Sequence, residues 1–105
     1  MNTTHEDVYL HTSRMGYSNM CSREELELAF GEPILDGLSL DGKTTVAWNI
    51  TFEDGIVATI YDWKRTVPPA RDEWIRWNIG GRHSLAVTRV DDAVKRVRER
   101  AQSVI

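Results

Sequence analysis

The chain has 105 residues, of which 41% are hydrophobic and 28% charged, and a net charge of −3. That length and composition describe one folded domain, 1–105, and exclude a disordered chain. No apolar run approaches the roughly 18–20 residues that a membrane span needs. The start, MNTTHEDVYL, has neither the basic nor the apolar stretch of a secretory signal, and the single cysteine, Cys21, permits no intrachain disulfide. Both features suit a reducing cytoplasm.

In chain order, residues 1–7 read as a loose terminus and 8–12 as a short edge strand. The first helix is well marked. Ser22 and Glu25 form an S-x-x-E capping box, and Glu24, Glu25 and Glu27 suit the positive end of the helix dipole. Leu26, Ala29 and Phe30 give an apolar stripe, and Gly31 with Pro33 stops the helix after about two turns.

Residues 43–64, KTTVAWNITFEDGIVATIYDWK, predict a β-hairpin with a type I′ turn at Asp54-Gly55. That turn pairs Phe52 with Val57, Ile50 with Thr59, Trp48 with Tyr61 and Val46 with Trp63. One face then collects Val46, Trp48, Ile50, Phe52, Val57, Tyr61 and Trp63, and the other Thr45, Ala47, Asn49, Thr51, Ala58 and Ile60. The Pro68-Pro69 segment is a loop. Residues 73–79, EWIRWNI, alternate as a third antiparallel strand, with Ile75, Trp77 and Ile79 facing one way and Trp74, Arg76 and Asn78 the other. A long helix follows over about 85–103, with Ala86, Val90, Val94, Val97 and Ala101 at helical spacing and Lys95, Arg96, Arg98 and Arg100 towards its end. The expected fold is therefore α+β: an antiparallel sheet of three or more strands carrying a short N-terminal and a long C-terminal helix.

Charge is uneven along the chain. Residues 1–63 hold 3 basic and 11 acidic side chains, and residues 64–105 hold 10 basic and 5 acidic. Such a split describes two solvated faces, orients a charged partner, or favours a homodimer. The basic cluster near the C-terminus lacks interleaved aromatics and sits on a mildly acidic protein, which argues against nucleic-acid binding.

Catalytic motifs are sparse. His5, His11 and His83 have no metal-ligand spacing, and the chain has no C-x-x-C, P-loop or G-x-S-x-G. No cofactor motif is present. Cys21 precedes a helix start, where a thiolate is favoured, but a lone cysteine is more commonly an inert small hydrophobe. Asp36, Asp41 and Asp54 have glycine neighbours and read as turn residues. The stretch WNIGGRHS has the parts of an anion site. Gly80-Gly81 would turn tightly and expose amides at a helix N-terminus, Arg82 would grip a phosphate, His83 would add a donor and Ser84 would cap the helix. Trp74 would stack a base, with Arg76 and Asn78 on its face. The competing reading is a tight structural corner flanked by core tryptophans.

The order Phe30-Gly31-Glu32-Pro33, Trp48, Phe52-Glu53-Asp54-Gly55, Ala58 through Lys64 (ATIYDWK) and Trp77-Asn78-Ile79-Gly80-Gly81 resembles a family of small accessory proteins encoded by tailed bacteriophages. The resemblance covers about residues 28–95, and Asn78 stands where that family usually carries His. It implies a phage context, in which small accessory proteins commonly bind host machinery or host defence components. With an aromatic sheet face larger than two helices need to cover, and with tryptophan and arginine dominating interface hot spots, the leading expectation is a non-enzymatic protein of the host-cell cytoplasm that binds and blocks a host protein, such as a component of antiviral defence. The alternative is a sponge that sequesters an anionic nucleotide-type signal at Gly80–Ser84. A third class is an enzyme using Cys21 or His83.

Overall fold

A computed structural model describes residues 2–3, 12–40 and 42–103. The expectations for a strand at 8–12, for His5 and His11, and for Asp41 lie outside those residues. Asn2–Thr3 is not loose, however. It forms strand β1, followed by β2 (Ser13–Tyr17), α1 (Arg23–Phe30), β3 (Leu35–Asp36), β4 (Val46–Thr51), β5 (Val57–Tyr61), β6 (Asn78–Gly81) and α2 (Leu85–Ser103). The architecture is α+β. An antiparallel sheet runs in the order β1-β4-β5-β6-β2, with β3 sharing the outer edge of β4 with β1.

Helix α1 forms as its sequence dictates. Ser22 is the N-cap, and the box is reciprocal: Glu25 N–H donates to Ser22 Oγ at 3.2 Å and Ser22 N–H to Glu25 Oε1 at 3.1 Å. Gly31 ends the helix at φ 85°, a conformation that favours glycine, and its carbonyl accepts the Trp48 Nε1–H at 2.9 Å. Helix α2 spans the expected residues. Ala86, Val90, Ala93 and Val94 are buried in the same core cluster as Leu26, Phe30, Trp48 and Trp77.

The hairpin exists, but its register is one residue off the type I′ expectation. The loop is three residues, Glu53-Asp54-Gly55. Gly55 N–H bonds Phe52 O at 2.9 Å, Phe52 N–H bonds Ile56 O at 2.9 Å, and Gly55 sits at φ 86°. This is the three-residue hairpin in which the glycine takes the positive-φ place, not the two-residue turn that Asp-Gly suggests. Trp48 therefore pairs with Ile60, Ile50 with Ala58 and Ala47 with Tyr61. A shift of one residue reverses every side chain of β5. Ala58 and Ile60 join Val46, Trp48, Ile50 and Phe52 in the core, while Val57, Tyr61 and Trp63 move to the opposite face. The expected single aromatic face is thus split, with Trp48 and Tyr61 on opposite sides.

The same shift turns Asp62 inward. Its buried carboxylate accepts Thr45 N–H at 2.8 Å and Val46 N–H at 2.9 Å on Oδ1, and the Thr45 hydroxyl at 2.5 Å on Oδ2. It fastens the start of β4 to the end of β5.

The third strand is shorter than 73–79. Regular pairing begins at Asn78, and the preceding stretch is held by the paired Cys21 and Ile75 bonds at 3.0 and 3.1 Å and by Ser18 N–H to Trp77 O at 2.8 Å. Trp77 is fully buried, packs edge-on against Trp48 with ring centroids 5.6 Å apart, and donates Nε1–H to Cys21 O at 3.0 Å. Both helices pack on this inner face.

Candidate functional site

The WNIGGRHS residues do not converge on one site. Gly80 and Gly81 are strand residues, not a turn. They lie in β6 between β5 and β2, so their backbones take part in two ladders. Glycine is required there for close packing. A Cβ on Gly81 would stand 2.9 Å from Ala86 Cβ and 2.9 Å from Val57 O, and one on Gly80 would collide with Thr59 Oγ1. Asn78 is buried between its cross-strand neighbours Tyr17 and Tyr61. At the start of α2 the side-chain acceptor is His83, whose Nδ1 takes the Leu85 N–H at 3.0 Å, rather than Ser84. Arg82, His83 and Ser84 are exposed, and Arg82 has no ion pair among the described residues. Glu73 bonds Arg65 at 2.9 Å and not Arg82. Arg76 is exposed between half-buried Ile75 and buried Trp77.

Trp74 lies eight residues before Arg82 along a largely extended chain, roughly 20–25 Å away, so the two belong to different surfaces. The Trp74 side chain is 56% exposed, and the Arg98 guanidinium from α2 stacks on it, 4.7 Å from the ring centroid. Arg98 is itself fixed. Its Nε donates to Glu25 Oε2 at 2.5 Å, and its Nη2 to Glu25 Oε1 at 3.1 Å and Met20 O at 2.8 Å. The bond from Arg98 holds the Glu25 carboxyl below the usual range, aided by the Ser22 amide and opposed by burial. Glu25 thus completes the α1 cap and braces an exposed indole through Arg98, which the carbonyl of exposed Met20 also holds. A cation held over an aromatic ring stabilises by about 0.5–1 kcal/mol at an exposed position. Reading the sequence reached Trp74 and Glu25. It placed Arg98 only in the basic end of α2 and missed Met20, because contacts between positions 25, 74 and 98 leave no local signal.

Cys21 is 1% exposed, and burial pushes its thiol up to about 11, against a bond from Ser18. A thiol so placed is a packing group with little thiolate to offer. Among the described residues no group of three or more His, Cys, Asp or Glu could hold a metal ion, and no helix is long and apolar enough to cross a membrane.

The sheet face opposite the helices holds a second concentration of aromatic residues. Tyr17, Asn78 and Tyr61 form a cross-strand row. Tyr61 meets Trp63 edge-on with centroids 6.1 Å apart. Arg14 lies over Tyr17 at 5.1 Å and donates to its hydroxyl at 2.9 Å, and Lys43 Nζ lies over Trp63 at 5.5 Å. Burial raises the Tyr61 hydroxyl above its usual value, with Arg14 opposing.

Comparison with protein-family models, with curated proteins and with solved structures finds no match to this chain.

Proposed function

We propose that this is a non-enzymatic accessory protein, of the kind tailed phages encode, which binds and blocks a protein of the host cell. The observation that carries the reading is the braced Trp74. An indole left more than half exposed loses burial energy that the fold could have used. Arg98, Glu25 and the α1 cap nevertheless hold that indole in place. Tryptophan and arginine dominate interface hot spots, methionine is enriched there, and a pre-positioned anchor lowers the entropic cost of association.

The test is affinity capture of host proteins on the immobilised chain, followed by mass spectrometry. Trp74→Ala should lose the specific partner while its thermal melt matches the parent. A partner retained by Trp74→Ala, or a capture list identical to that of an unrelated acidic protein, refutes the reading. Sedimentation at micromolar concentration reports in the same preparation whether two copies of the chain pair.

A further inference from the structure

The outward residues of α1 are Glu24 and Leu28, and exposed Glu32 follows just past the Gly31 stop. Leu28 is 67% exposed, and helix propensity alone gives leucine no advantage over glutamate or lysine at such a place. It forms one wall of a shallow groove of about 260 Å3 between the helices, whose other lining residues are Val97, Arg100 and Ala101 of α2. A narrower recess shares Leu28, Val97 and Arg100 with it and adds Ala29, Ala93 and Arg96. The groove is therefore apolar except for its two arginines.

Its two sides carry opposite charge, α1 coming from the acidic part of the chain and α2 from the basic part. Glu24, Glu32 and Arg96 are exposed and have no ion pair among the described residues. Glu53 and Asp54 share a cavity with Arg96, but Asp54 is bonded by Arg89 at 2.8 Å and neither acid pairs with Arg96. The helices run antiparallel: Glu25 near the start of α1 reaches Arg98, and Ala29 near its end lies by Ala93. A two-fold axis along the groove would set each α1 against the partner's α2 at its own level. Leu28 then meets the partner's Val97, Glu32 meets the partner's Arg96, and Glu24 meets the last turns of the partner's α2.

We infer that α1 and the C-terminal half of α2 are the interface of a two-fold homodimer, in which Leu28 of each copy enters the groove beside the partner's Val97 and Glu32 faces the partner's Arg96. A two-fold interface makes every contact twice, so an acidic stripe beside a basic one is complementary to a second copy of itself. Each leucine taken out of water is worth about ten- to 150-fold in association. The patch is confined to α1 and a few turns of α2, which is a small interface and implies a dissociation constant in the micromolar range. The braced Trp74 stands elsewhere: Arg98, which holds it, points about 200° around α2 from Arg96 and from Arg100. Pairing through this patch leaves Trp74 open to a different protein, and neither reading rests on the other.

The experiment is sedimentation equilibrium of the full chain up to about 200 μM, well above a micromolar constant. A concentration-dependent species of twice the chain mass is expected. Leu28→Lys should weaken pairing about 100-fold or more, because two buried leucines are lost per dimer. Its fold should persist, since position 28 is exposed and a cation there follows Glu24 at the favourable i, i+4 spacing; far-ultraviolet circular dichroism checks this. Arg96→Glu and Glu32→Lys should each weaken pairing about tenfold, by turning two opposite-charge contacts into like-charge ones. Mixed in equal amounts, these two variants should pair with each other at about the parental affinity, because every such contact across the mixed dimer again joins opposite charges. Misfolded chains would not recover on mixing. Trp74→Ala should pair as the parent does. A parent that stays at the mass of one chain overturns the inference and leaves the groove to a different molecule. So does parental pairing by Leu28→Lys, a mixture that stays unpaired, or loss of pairing in Trp74→Ala, which would move the contact to the Trp74 surface.

Discussion

Replacing Asp62 with alanine removes the only carboxylate among the described residues that is buried in the core. Its Oδ1 accepts two backbone N–H groups, those of Thr45 and Val46, and its Oδ2 the Thr45 hydroxyl. The hydroxyl can rotate to another acceptor, but the two amides cannot. Each buried donor left unsatisfied costs about 1–3 kcal/mol. Removing a buried charge recovers part of that, so the net loss should be about 2–4 kcal/mol. A domain of this size has about 5–15 kcal/mol in total, and each kcal/mol is worth about 4–8 °C in Tm. The melting temperature should therefore fall by roughly 10–25 °C. Urea unfolding followed by tryptophan fluorescence measures the free energy directly. Asp62→Asn is the informative companion. Its amide oxygen keeps both N–H bonds, and its NH2 can donate to a rotated Thr45 hydroxyl, so it should lose about 1 kcal/mol or less. If Asp62→Ala unfolds at the parental urea concentration, or Asp62→Asn is as unstable as Asp62→Ala, the acceptor role assigned to this side chain is wrong.

Trp77→Ala should destabilise by about 3–5 kcal/mol in the same assay, because it empties a fully buried indole site beside Trp48. A loss below about 1 kcal/mol would show that the two indoles do not pack as described. Arg82→Ala should stay within about 0.5 kcal/mol of the parent, as exposed substitutions do, since no described acid pairs with it. A large loss would reveal a structural partner. Stability should fall in acid. Glu25, Asp36, Asp54 and Glu73 are all held below their ordinary values, foremost by bonds from Arg98, Arg23, Arg89 and Arg65. Groups depressed on folding stabilise above their unfolded pKa, so this contribution is lost as the pH drops from about 4.5 through the lower folded values. Asp91, raised by burial, works in the opposite sense. Melting temperatures should be level above pH 6 and decline below 4.5, less steeply in Arg98→Ala. A flat profile from pH 6 to 3 would contradict these pairings.

Local chemistry made much of this fold legible in advance. The α1 cap, its glycine stop and the extent of α2 depend on residues within a turn or two of each other, and the α+β class follows from their order. The site was less accessible. Asp54-Gly55 is compatible with a two- or three-residue loop, and local preference does not separate them. The tertiary core does. Seating Trp48 opposite Ile60 keeps Ile60 and Ala58 dry and lets Asp62 reach two amides. The alternative would bury Tyr61 and Trp63 and expose Ile60. That one-residue difference put Tyr61 and Trp63 on the face opposite the helices. Gly80-Gly81 likewise looks like a corner in isolation but ends strand β6, where Thr59 and Ala86 leave no room for a Cβ. Sequence determined the two helices and the central hairpin, because helix caps and hydrophobic periods act over a few residues, whereas β1, β2 and β3 leave no such local signal. Which faces those elements present was decided only in the assembled structure, because contacts such as Glu25 with Arg98, or Tyr17 beside Asn78 and Tyr61, join segments dozens of residues apart.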